Sequence, residues 1–120
     1  MNKTILEKRT LDFSIKLIET LGKLKKDSHT GKIIDQCIRS GTSIGANYRE
    51  ANGAESRKDF THKLSLSFKE ARETKYWLSI LLSLYQNNCD LEALQNESDE
   101  FARIMGKSVS TCRQNQASKS

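Results

Sequence analysis

The chain contains no proline, so nothing in its 120 residues forbids long helices, whose interiors a proline would destabilise by about 3 kcal/mol. Cysteine is scarce and odd in number. Cys37, Cys89 and Cys112 are widely spaced, match no zinc-finger spacing and cannot all pair, which excludes a disulfide-stapled scaffold and suits a reducing compartment. No apolar run approaches the ~20 residues of a membrane-spanning helix. The opening MNKTILEKRTLDF lacks the apolar stretch of a signal peptide. The expectation is an unprocessed cytoplasmic protein without membrane association. Apolar residues make up only 36% of the chain, which fits amphipathic helices with wide solvated faces better than a thick multilayer core.

The length suits one domain, here residues 1–113, followed by a polar tail at 114–120 (QNQASKS) that offers nothing to bury and is expected to fray. The net charge of +5 is uneven: residues 1–32 carry +4, 56–86 carry +3 and 101–120 carry +4, whereas 87–100 carry −5. A basic balance permits a polyanionic partner without establishing one.

Four segments carry a helical apolar period. In the first, from about Thr10 to Lys26, Leu11, Ile15 and Ile18 share one side of the wheel, and Phe13, Leu17, Leu21 and Leu24 share the adjoining side. Thr30 is the expected N-cap for the second, about Gly31 to Ala54. Its Ser40–Ala46 stretch is unusually small and could be a loop. The apolar period runs in phase through Gly41 and Gly45, which favours a continuous helix that a neighbour approaches closely. The third, about Ser56 to Asn87, opens on a Ser56/Asp59 capping pattern. It has one stripe through Phe60, Leu64, Ala71, Leu78 and Leu82, and a second through Leu66, Glu73, Trp77, Ile80 and Leu84. The fourth runs from Leu91 to about Arg113. Four such helices with short connections predict an all-α, antiparallel up-down four-helix bundle.

A single bundle core uses one stripe per helix, and the first and third segments have more. An exposed apolar strip that long usually marks an interface. A homo-oligomer is therefore expected, with Phe13, Leu17, Leu66, Trp77 and Leu84 as candidate interface residues.

Catalytic chemistry finds little support. Gly41-Thr42-Ser43-Ile44-Gly45 lacks the lysine and preceding strand of a phosphate loop. His29 and His62 have no second ligand set, and His62 near Asp59 reads as a surface pair. No Glu-x-x-His metal pattern is present, so neither an enzymatic role nor a metal or cofactor is expected. Cys37 and Cys112 read as core packing. Arg39, Asn47, Glu50, Glu70 and Glu73 read either as ordinary helix polarity or as a polar network between helices or subunits. Lys16, Lys23 and Lys26 on the first helix, with Lys58, Lys69 and Arg72 on the third, are candidate phosphate contacts. The competing reading of these cations is a solubilising face.

The stretch Arg39-Ser40-Gly41-Thr42-Ser43-Ile44-Gly45-Ala46-Asn47-Tyr48-Arg49-Glu50-Ala51, followed by Ser56-Arg57-Lys58-Asp59-Phe60, resembles the bacterial four helix bundle protein family. That family is also called the 23S rRNA intervening-sequence protein family. The resemblance covers about residues 11–113, with Arg39, Asn47, Glu50 and Glu70 at its polar positions. Many members carry proline where this chain has Gly45, which should leave the second helix straighter here. The resemblance implies a ring-like homopentamer. Most members have no established activity. The accessory protein of diversity-generating retroelements looks like a relative, and is a basic pentamer that binds nucleic acid and a reverse transcriptase.

Two functions follow as expectations. One is a non-enzymatic oligomer that binds structured RNA or DNA through basic helix faces, as an accessory to an RNA-related or reverse-transcriptase system. The alternative is a protein-binding scaffold with no nucleic-acid role, docking its partner on the Trp77 stripe or the acidic 90–100 patch.

Overall fold

A computed structural model describes residues 2–118. The four helices are α1 (Lys3–Gly22), α2 (Ser28–Asn52), α3 (Arg57–Leu84) and α4 (Cys89–Ser118), and no strand occurs among the described residues. They pack as an elongated four-helix bundle of 52 × 22 × 22 Å.

Helix ends follow local capping chemistry more than apolar period. α1 begins at Lys3, ahead of Thr10 where the period becomes visible, because Asn2 caps it and accepts from the Ile5 backbone N–H at 2.9 Å. It stops at Gly22, short of Lys26, with Lys23 as its C-cap. The N-cap of α2 is Asp27 and not Thr30. Asp27 accepts from the backbone N–H groups of His29 and Thr30, and the Thr30 hydroxyl accepts in return from the Asp27 N–H at 2.9 Å. Ser56 caps α3, accepting from the Asp59 N–H at 3.0 Å. The polar tail expected from Gln114 is helical through Ser118. Gln116 holds it by donating to the Thr61 hydroxyl at 2.8 Å, a tertiary bond with no apolar signature. Lys119 and Ser120 lie outside the described residues.

The helix α2 is continuous through Ser40–Ala46, as the in-phase period requires, and its small residues face two neighbours at once. A Cβ on Gly41 would overlap the Leu17 side chain of α1 and touch Thr74 of α3. One on Gly45 would come within 2.9 Å of the Thr10 hydroxyl and 3.0 Å of its Cβ. Into the space so gained go Phe13 and Leu17, which pack with Leu64, Leu78, Phe101 and Met105 in one core. Phe13 meets Phe101 edge to face at 5.4 Å.

Buried hydroxyls line the α2/α3 seam, and all are satisfied. The Ser40 and Thr74 hydroxyls meet at 2.8 Å, and Ser67 donates to the Ile44 carbonyl at 2.7 Å. Contacts run in opposite chain order along neighbouring helices. Arg9 meets Glu97 while Lys16 meets Asp90, and Ser40 meets Thr74 while Glu50 meets Lys63. The α1–α2 and α3–α4 connections share one end, tied by the Tyr85 hydroxyl donating to the Lys25 carbonyl at 2.6 Å.

Two predictions concern this framework. Alanine at Gly45 gains about 1 kcal/mol of helix propensity but forces Thr10 against a filled core, at about 1–3 kcal/mol. Gly45→Ala should therefore lower the urea midpoint. Gly31→Ala, whose Cβ would meet nothing closer than 3.9 Å, should raise the midpoint, through about 0.5 kcal/mol of added stability.

The second concerns acid. Backbone N–H donation from Thr30 and His29 holds the Asp27 carboxyl below its ordinary 3.8. A lowered folded-state value means that the stabilisation is complete above about pH 4 and is lost as pH falls through that value. Melting temperatures of wild type and Asp27→Asn should keep a constant gap from pH 7 to about 5, and the gap should narrow below that, with wild type losing more.

Candidate functional site

The candidate interface residues divide sharply. Phe13 and Leu17 are buried in their own core (Leu17 is 0% exposed) and cannot face a second copy. The slot beside Gly41 explains this, because it draws the Phe13/Leu17 side of α1 inward. The other apolar side of α1 is then left outside. Leu11, Ile15 and Ile18 lie in one row, each about half exposed, with Ile15 at 50%. On α3, Leu66, Trp77 and Ile80 are partly exposed and Leu84 is 53% exposed. Beside them stands Tyr76 at 61%, which the apolar period passes over because it falls outside both stripes.

Neighbouring contacts fix the direction of each strip. On α1, Glu7 reaches Asn52 of α2, while Arg9 and Lys16 reach Glu97 and Asp90 of α4. At ~100° per residue the Leu11/Ile15/Ile18 row falls beside Glu7, on the α2 side. On α3, Glu70 and Glu73 meet Arg39 of α2, and Lys75 and Ser79 meet Asp99 and Gln95 of α4. The Leu66–Leu84 row sits at the Glu73 position of the wheel, again toward α2. Both unpartnered strips therefore flank α2, on adjoining sides of the bundle.

Of the five polar-network residues, three come together. Arg39 is paired with Glu73 and with Glu70 at 3.0 Å, and its Nε donates to Gln36 at 3.1 Å. The Trp77 indole N–H donates to the same Glu73 carboxylate at 3.0 Å. One guanidinium thus ties α2 to α3 and fixes Trp77 through Glu73. Asn47 instead bonds the Ser43 carbonyl of its own helix, and Glu50 pairs separately with Lys63 at 3.2 Å.

A second tie, which no sequence pattern announces, joins α1 to α4. Arg9 pairs with Glu97 and lies 5.3 Å over the Phe101 ring, so its guanidinium is held more firmly protonated than usual, chiefly by the Glu97 hydrogen bond. Lys75 joins Asp99 at 2.7 Å, and its hydrogen bond, with Arg103 nearby, lowers the Asp99 carboxyl. Residues so far apart in the chain leave no local pattern by which to find them.

The six candidate phosphate contacts do not form one surface. Lys16 is occupied by Asp90 at 3.3 Å. Lys23 and Lys26 lie at the end tied by Tyr85, whereas Lys58 opens α3 at the opposite end. Lys69 and Arg72 lie midway along the outer side of α3, exposed, and Arg72 stacks on Phe68 at 5.7 Å. Among the described residues, no cluster of three or more His, Cys, Asp or Glu side chains is arranged to hold a metal ion. Cys37 is buried, and burial pushes its thiol up to about 12, so it behaves as a core residue. Among the described residues, no helix is long and apolar enough to cross a membrane.

Fold and surface together define an all-helical bundle whose distinctive chemistry lies on its outer faces. Residues 2–107 match the family model described as 23S rRNA-intervening sequence protein, and the chain belongs to that family. It is similar to a crystal structure from Bacteroides thetaiotaomicron, described as a protein with unknown function from the S23 ribosomal protein family. The two are 33% identical, with a TM-score of 0.79 over 92% of this chain and 99% of that one. No curated protein matches.

If the Arg39 fork holds α2 and α3 in register, Arg39→Ala should lower stability by about 1 kcal/mol. A double-mutant cycle with Glu70→Gln should give a coupling of at least ~0.5 kcal/mol. Urea unfolding followed by Trp77 fluorescence measures both, and additive effects would show that the pairs are incidental.

Proposed function

We propose that the chain is a non-enzymatic assembly module, an antiparallel up-down bundle whose copies join side by side into a ring that binds nucleic acid. The carrying observation is the half-exposed Leu11/Ile15/Ile18 row on α1, facing a different side of the bundle from the Trp77/Ile80/Leu84 row on α3. Two different strips favour a heterologous contact, the α1 strip of one copy against the α3 strip of the next. In an idealised square bundle such faces diverge by roughly 90–110°, which closes a ring of about four or five copies. The family resemblance favours five.

Nucleic-acid binding rests on the net charge of +5 and on cations that no carboxylate claims, together with the family's link to rRNA genes. An accessory role beside a reverse transcriptase, and a cytoplasmic location, belong to the same reading. The scaffold alternative draws on the same apolar strips but needs none of the free cations.

Light scattering coupled to size exclusion, with absorbance at 260 and 280 nm, tests assembly and bound nucleic acid together. The expected result is a closed oligomer. Ile15→Asp should convert it to single chains that keep their helical circular dichroism, because Ile15 contributes little to the core. A single-chain mass for wild type at micromolar concentration would overturn the assembly reading. Absence of nucleic-acid binding at low salt would leave the scaffold.

A further inference from the structure

The outer side of α3 carries three features that the bundle itself does not use. Among the described residues Tyr76 is the most exposed large side chain with an apolar body, at 61%, and its ring meets Trp77 edge-on at 5.2 Å. Lys69 and Arg72 stand two turns and one turn before it. Neither forms an ion pair among the described residues, whereas Lys63 and Lys75 on the same helix are both paired. With Phe68 and Glu73 these residues line a surface groove of about 400 Å³. The Glu73 charge does not oppose an anion there, since Arg39 neutralises it and the Trp77 N–H occupies it.

The groove does not end at α3. Phe68 lies across Gly106 of α4, where a Cβ would come within 2.8 Å of its ring. On the far side of Phe68 a second groove, of about 480 Å³, continues along α4 past Arg113. No carboxylate lines it, and Arg113 also forms no ion pair among the described residues. The result is a shallow track crossing from one helix to the next, with Tyr76 near one end, Phe68 in the middle, and Lys69, Arg72 and Arg113 along it.

We propose that this track binds a short single-stranded segment of nucleic acid, with a base stacked on Tyr76 and the backbone phosphates held by Lys69, Arg72 and Arg113. The inference rests on the proposed nucleic-acid binding and sharpens it from structured to single-stranded ligand. An exposed aromatic face beside unpaired cations is what an unstacked base and its phosphate require. A duplex keeps its bases stacked inward and offers Tyr76 nothing but backbone. Arg72 lies over the Phe68 ring at 5.7 Å, so the guanidinium stands beside an aromatic surface while its N–H groups remain available to phosphate oxygens.

Fluorescence anisotropy with a labelled twelve-nucleotide single-stranded RNA, and with a hairpin of matched length, provides the test on the full chain. The single strand should bind at least tenfold tighter. Tyr76→Ala should weaken it about tenfold and Tyr76→Phe should restore it, since stacking needs the ring and not the hydroxyl. Replacing Lys69 and Arg72 by Gln should reduce the slope of log affinity against log salt by roughly 1.4, about 0.7 per lost phosphate contact. Lys32→Gln, on α2 and off the track, should leave affinity for the single strand within twofold. Equal or tighter hairpin binding, or a Tyr76→Ala variant that binds like wild type, overturns the track while leaving nucleic-acid binding intact. A Tyr76→Ala variant with an altered solution mass would assign the ring to subunit contact and also overturn it. No binding of either RNA at low salt overturns nucleic-acid binding as a whole.

Discussion

Gly41 and Gly45 let α2 be touched from two directions in the same two turns, and most of the architecture descends from that closeness. Leu17 fills the space a side chain at Gly41 would need, and Thr10 closes on Gly45. On the α3 side, Ser40 meets Thr74 and Ser67 meets the Ile44 carbonyl. Glycine in a helix interior carries a penalty of about 1 kcal/mol relative to alanine. Here the offset is the burial of Phe13 and Leu17, each of which contributes about 1.5–3 kcal/mol when removed from water. The hydroxyls in the seam supply directional contacts at separations where larger apolar side chains would not fit.

That closeness also decides what remains outside. A helix with apolar residues over most of its circumference can present either side to a core. For α1 the choice is made by the slot in α2, which takes the Phe13/Leu17 side and leaves Leu11, Ile15 and Ile18 in water. The Arg39 fork does the complementary task on α3. It satisfies Glu70 and Glu73 at the seam and holds the Trp77 indole by its N–H, so that the adjoining apolar row is displayed on a fixed surface.

Periodicity makes four helices and the continuity of α2 legible, because an apolar stripe that stays in phase over several turns is hard to produce except by a helix with one buried face. It cannot choose between the two apolar sides of α1. That choice depends on the absence of two side chains in another helix, which is why spacing alone places Phe13 and Leu17 at an interface when they belong to the core. Spacing also misses a helix end where a polar cap acts alone, as at Asn2 and Asp27. The basic faces are the least legible feature. Whether a lysine is free depends on its partner, and Asp90, which occupies Lys16, lies far along the chain. Arg9 and Glu97, 88 positions apart, show the same limit. Tyr76 belongs to neither stripe, and exposure is not a property of sequence spacing.

The position of both strips beside α2 has a consequence for α4. Any assembly that covers those strips leaves α4 on the perimeter, and α4 is electrically lopsided along its length. Its first turns hold Asp90, Glu92, Glu97, Asp99 and Glu100, and its later turns hold Arg103, Lys107 and Arg113. A rotationally closed assembly would keep every copy pointing the same way, so the cations of the later turns would gather at one rim, while at the other Arg9, Lys16 and Lys75 offset the carboxylates. Such a body has a top and a bottom, and a polyanion would meet it from one of them.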